Sequence, residues 1–156
     1  MALELNILVG TMTSTAELVA QEIELGMGDD DTNIVVTDMD GLDATALKPG
    51  KLYLICSSTY GSGDVPDNAR AFYESLQSAR PNLEGVRYGV IALGDRTYAQ
   101  TFCFGGKKFD AILSELGATR IGEVCIHDAS AGTMPEEVCV EWAQGWIETA
   151  RETIAA

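Results

Sequence analysis

Residues 52–69 read LYLICSSTYGSGDVPDNA, from Leu52 to Ala69. The apolar run Leu52-Tyr53-Leu54-Ile55-Cys56 is short and bounded by turn-forming residues, the pattern of a strand buried on both faces. After it, Ser57 to Asn68 carries Gly61, Gly63 and Pro66, with Tyr60 at the tip. Then Ala69, Phe72, Tyr73 and Leu76 recur at i, i+3, i+4 and i+7, which predicts a helix over 68–77 with one apolar face. A strand that runs into a helix through small residues and an aromatic leaves backbone amides and carbonyls free in the loop. Such a loop suits a flat aromatic ligand with polar edges.

The same alternation extends in both directions. Leu5–Val9 predicts a first strand, and Ala16, Val19, Ala20 and Ile23 mark a helix face. Asn33–Val36 is a second strand. Asp38–Gly50 is irregular, with room for one short helical turn. Arg87–Ala92 is a fourth strand after the one at 52–56. Phe109, Ile112, Leu113 and Leu116 mark another helix, and Arg120–Ile126 a fifth strand. Thr133 and Glu136 have capping-box spacing around Pro135, ahead of a last helix carrying Cys139, Trp142, Ala143 and Trp146. Strict β–α alternation with near-continuous apolar strands implies an α/β fold with a parallel sheet covered on both faces. Five strands in so short a chain favour the doubly wound order 2-1-3-4-5, with residues 1–156 forming one domain. Ligands of such sheets bind outside the carboxyl ends of the strands, at the switch point beside strand 1.

Composition narrows the function. The chain has 156 residues, 46% hydrophobic and 22% charged, the balance of an ordinary globular protein. Its formal net charge is −14, which argues against nucleic acid and anionic membrane as partners. The first Lys or Arg is Lys48, so a signal peptide is not expected and the cytoplasm is. Residues 1–47 are therefore acidic without a balancing base. The simpler meaning is a solvated surface; the sharper one is a face that steers basic partner proteins. Cys56, Cys103, Cys125 and Cys139 form no CxxC pair and read as reduced, mostly buried thiols.

Strand 1 runs into Gly10-Thr11-Met12-Thr13-Ser14-Thr15-Ala16-Glu17. These hydroxyls open a helix, whose unpaired N–H groups and partial positive charge attract anions. They either cap the helix or hold a phosphate by dipoles alone. A P-loop is excluded because no G-K-[ST] follows, and a dinucleotide fingerprint because the glycines do not fit. Strand 4 runs into Leu93-Gly94-Asp95-Arg96-Thr97-Tyr98 and on to Phe102-Cys103. Tyr60 and Tyr98 thus sit on loops of adjacent strands at one sheet edge. Both can stack on one planar heteroaromatic, each contact contributing on the order of 1 kcal/mol beyond burial. Trp142 and Trp146 read as core contacts, His127 as structural or surface, and Lys107-Lys108 as a solvated helix face. Asp64 and Asp67 lack the company expected of a metal site, and there is no nucleophile–base signature.

These three loops resemble one family. GTMTSTAE is similar to the phosphate loop of flavodoxins and of the FMN domains of diflavin reductases, STYGSGD to their strand-3 loop, and LGDRTY to their strand-4 loop. Asp64–Asn68, Phe72-Tyr73-Glu74, Thr101-Phe102-Cys103 and Glu141-Trp142 resemble the MioC-type short-chain flavodoxins. Ser14 departs from the glycine usual in the phosphate loop. The resemblance implies a flavodoxin-like three-layer sandwich that binds FMN and transfers single electrons. It assigns the phosphate to Thr11, Met12, Thr13, Ser14, Thr15 and Ala16. It assigns one side of the ring to Ser58, Thr59, Tyr60, Gly61 and Gly63, and the other to Leu93, Gly94, Asp95, Tyr98, Phe102 and Cys103. It further implies a monomeric carrier rather than an enzyme. Its partners would be basic-faced proteins: an NADPH-dependent reductase and an acceptor enzyme such as biotin synthase. The alternatives are a quinone-reductase-like flavin enzyme and a flavin-free binding or regulatory module.

Overall fold

A computed structural model describes residues 3–10, 15–27, 32–48, 50–57, 67–94, 104–128 and 134–155. Its strands are β1 (Leu3–Gly10), β2 (Thr32–Asp38), β3 (Leu52–Ser57), β4 (Arg87–Gly94), β5 (Thr119–Arg120) and β6 (Cys125–Asp128). Its helices are α1 (Thr15–Met27), α2 (Asp67–Ala79), α3 (Phe104–Glu115) and α4 (Pro135–Ala155). Every described strand pairing is parallel, and the sheet runs β2-β1-β3-β4-β5, with β6 also on β4. This is the expected doubly wound order.

Two apolar layers hold the helices to the sheet. In β1, Leu5, Ile7 and Val9 face α1 and α4, while Leu8 faces the α2 and α3 side. Helix α1 contributes Ala16, Val19, Ala20 and Ile23, the four positions expected from the i, i+3, i+4, i+7 spacing. On the other side α2 buries Ala69, Phe72 and Leu76, and α3 buries Phe109, Ile112 and Leu113. Phe72 and Phe109 stack at 5.8 Å between centroids, and Tyr73 meets Phe109 edge-on at 5.4 Å. All six residues of β3 are buried, as a central parallel strand covered on both faces requires.

The irregular segment after β2 does contain one short turn, a 3-10 helix at Ala44–Ala46. Asp43 caps it by accepting from the Thr45 hydroxyl and, at 2.9 Å, from the Thr45 amide, and these bonds hold its carboxyl below the usual range. The Tyr53 hydroxyl donates to the Ala46 carbonyl (3.1 Å) and accepts from the Lys48 amide (3.0 Å), which ties the segment to β3.

The fifth strand differs from the expected continuous Arg120–Ile126. Tyr88 pairs with Arg120 and Ile91 with Cys125, so three steps along β4 face five along its neighbour. The two extra residues bulge out opposite Gly89. The cause is Trp146 of α4, which fits only because position 89 lacks a side chain: a Cβ there would lie 2.5 Å from the indole. Trp146 Nε1 donates to the Ile121 carbonyl at 2.9 Å, and Gly122 turns the chain at φ +69°. Trp142 stacks on Trp146 at 5.8 Å, so both tryptophans serve packing.

One residue before Gly89 in β4, Tyr88 donates to Asp110 Oδ1 (2.7 Å), and Arg120 pairs with Asp110 Oδ2 (2.7 Å). This latch joins β4, α3 and β5. Burial, reinforced by the Asp110 carboxylate, pushes the Tyr88 phenol up.

Candidate functional site

The carboxyl ends of the strands form one rim. Gly10 ends β1, Ser57 ends β3 and Gly94 ends β4. Register places them side by side: Gly10 pairs with Ser57, Ser57 with Ala92, and Gly94 with Asp128 at the end of β6. The chain leaves this rim through residues 11–14, 58–66 and 95–103, and returns as the amino ends of α1, α2 and α3. The three segments singled out by sequence therefore begin at neighbouring points of one edge. Helix α1 begins at Thr15, five residues past the end of β1, and directs its amino end to the rim. A helix amino terminus there can hold an anion with backbone N–H groups and its dipole.

The rim is tightly built where it is described. Ala16, in the first turn of α1, is fully buried, and its carbonyl accepts the Cys56 thiol at 3.4 Å. This contact seats the start of α1 on the end of β3. A Cβ on Gly10 would stand 3.1 Å from Ala69 Cβ, 3.2 Å from Met39 Sδ and 3.2 Å from Ser57 Oγ. A Cβ on Gly106 would stand 2.5 Å from Ala92 Cβ, so α3 lies directly against the end of β4. Both close approaches flank the exits or returns of the loops.

Of the residues assigned to the ligand, Thr15 opens α1, Ala16 is buried beneath it, and Gly94 ends β4. Leu93 is buried in the layer shared with α1 and α4, so what it can offer at the rim is backbone. Thr11, Met12, Thr13 and Ser14 lie outside the described residues. So do Ser58, Thr59, Tyr60, Gly61 and Gly63, and Asp95, Tyr98, Phe102 and Cys103.

Two contributors to the rim were not among the residues that motif reading singled out. Met39 follows β2, is fully buried, and its amide donates to the Val9 carbonyl at 2.9 Å. Nothing in its sequence neighbourhood marks it. Gly106 sits in a lysine-flanked helix start; the pair Gly105-Gly106 at a helix amino end was the available signal.

The thiols are structural in character. Cys56, Cys125 and Cys139 are free and buried. Burial raises Cys56, and Cys139 is raised by its hydrogen bond with Cys125 and by burial. His127 is also buried, on β6 beside Leu93. Among the described residues no cluster of His, Cys, Asp or Glu has the arrangement of a metal site, and no helix is long and apolar enough to cross a membrane.

A family model for flavodoxin matches residues 7–142. The chain is 37% identical over 143 residues to Flavodoxin YqcA of Escherichia coli (strain K12), covering 92% of this chain and 95% of that one. It is 32% identical over 144 residues to Protein MioC of the same strain, covering 92% and 96%. A cysteine-to-alanine mutant of flavodoxin from Pseudomonas aeruginosa superposes with a TM-score of 0.82 at 28% identity, over 94% of this chain and 98% of that one. FMN is the cofactor of this family, and the rim fits it. A helix amino end is directed to the rim there, and Gly10, at the end of β1, stands where a Cβ would meet three neighbours at 3.1–3.2 Å. The family match spans all three loops and the sheet that carries them, and the chain belongs to the flavodoxin family.

Proposed function

We propose that this flavodoxin carries single electrons in the cytoplasm from an NADPH-dependent reductase to an acceptor enzyme, and that it docks on both through its acidic rim. The observation that supports the reading is the register Gly10–Ser57–Ala92, which starts residues 11–14 and 58–66 from adjacent strands. FMN, when bound, supplies a ring that accepts and releases electrons; the protein supplies binding, orientation and electrostatics. Residues Thr11 to Ala16 would hold the phosphate against the amino end of α1. Tyr60 and Tyr98 would cover the ring and keep water from it.

Charge then sets the direction of flow. Asp38 and Asp40 are exposed at the end of β2, beside β1. One carboxylate at about 10 Å, with an effective dielectric near 40, opposes added negative charge by about 0.8 kcal/mol. That is about 35 mV per carboxylate for one electron, reduced by salt. A low potential and a basic-faced partner both follow from the net charge of −14.

The test is an absorbance spectrum of purified protein, then FMN titration of the flavin-free form. Reduction by an NADPH-dependent flavodoxin reductase is followed with rising salt, and electron delivery is assayed with biotin synthase as a trial acceptor. Yellow protein, quenched FMN fluorescence and salt-sensitive reduction support the carrier. A folded sample that binds neither FMN nor riboflavin refutes it.

A further inference from the structure

We infer that Gly10, Ala69, Met39 and Ser57 form a positioning node that sets the phosphate segment of the site, and that this node governs the preference for FMN over riboflavin. The inference rests on the flavin-binding reading above and deepens it. The four residues come from four elements: the end of β1, the first turn of α2, the segment after β2 and the end of β3. Met39, Ala69 and Ser57 are each fully buried. All three converge on the one position of β1 from which the chain departs toward Thr11.

The consequence of adding an atom there can be worked out contact by contact. A Cβ at position 10 would meet Ala69 Cβ at 3.1 Å, where ordinary contact begins at 3.4 Å. Met39 Sδ, 3.2 Å away, belongs to a long unbranched side chain, and Ser57 Oγ lies at the same distance. Ala69 Cβ cannot turn, because it is fixed to a helix whose Phe72 and Leu76 are locked in the core. The end of β1 must therefore yield. It carries the phosphate segment directly, whereas the ring segments leave from β3 and β4. Riboflavin lacks the phosphate, so it reports the ring side alone.

The experiment measures FMN and riboflavin dissociation constants for wild type, Gly10→Ala and the pair Gly10→Ala with Ala69→Gly. Losing one charge-assisted hydrogen bond to the phosphate weakens binding about tenfold. Gly10→Ala should therefore lose about tenfold for FMN and much less for riboflavin. Removing the Ala69 methyl should restore the FMN-to-riboflavin ratio, which a mere loss of stability would not do. Met39→Leu conserves volume and keeps the fold while placing two branch atoms where the sulfur lies. It keeps the question open to test if Gly10→Ala fails to fold, and it should lower the ratio about threefold. An unchanged ratio in the folded variants, equal losses for both ligands, or no recovery in the double variant overturns the inference. Absence of flavin binding by wild type instead overturns the functional reading on which it stands.

Discussion

Gly106→Ala and Gly145→Ala are the same chemical change on two helices, and the structure requires opposite effects. Gly145 lies in α4 with nothing within 4 Å of a Cβ. Alanine there gains only helix propensity, about 0.5–1 kcal/mol of stabilisation. Gly106 lies in α3 with Ala92 Cβ at 2.5 Å and Ala92 Cα at 2.8 Å from the new atom. Carbon pairs settle at about 3.5–4.0 Å, so α3 must retreat from β4 by about 1 Å. That retreat loosens Phe109, Ile112 and Leu113, all buried on the same helix. A gap of that size forfeits about a quarter to a half of each contact well. Full burial of such a side chain contributes about 1.5–3 kcal/mol, so the three together lose about 1–4.5 kcal/mol. Net of helix propensity, Gly106→Ala should destabilise by about 0.5–3.5 kcal/mol. Urea unfolding followed by circular dichroism reads both changes: the midpoint should fall for Gly106→Ala and rise for Gly145→Ala. A midpoint for Gly106→Ala at or above wild type would refute the close docking of α3 on β4. Because residues 95–103 return to the fold through α3, flavin affinity should fall with Gly106→Ala.

Two further predictions concern titratable groups. Tyr88 has a folded-state pKa raised above its unfolded value of about 10, so its contribution is complete below pH 10 and is lost as pH rises beyond it. The stability of wild type should therefore fall more steeply above pH 10 than that of Tyr88→Phe; parallel curves from urea midpoints across pH 9–11.5 would contradict the burial of this phenol. Cys56 and Cys139 are buried with raised thiol pKa values, so iodoacetamide at pH 8 should leave both unlabelled in native protein and label them after unfolding, as read by peptide mass spectrometry. Rapid native labelling of either would place it outside the core.

The sequence by itself carried the class, the strand order and the family. Ala16, Val19, Ala20 and Ile23 announced a buried helix face, and Leu52–Cys56 announced a central strand, because local periodicity reports directly which side of an element is dry. The composition of the three loops raised the expectation of a flat ligand, and their resemblance to flavodoxins supplied FMN, which the family match bears out. Tertiary structure decided the rest. The break between β5 and β6 follows from an indole 20 residues or more away in sequence, on α4, pressing on Gly89 across β4. His127 proved to be the buried member of the two alternatives left open for it. Met39 and Gly10 became neighbours only when β2 paired with β1 and α2 closed over both. No local pattern encodes such contacts, because whether a glycine is slack or indispensable depends on which atom the rest of the chain brings within 3 Å of it.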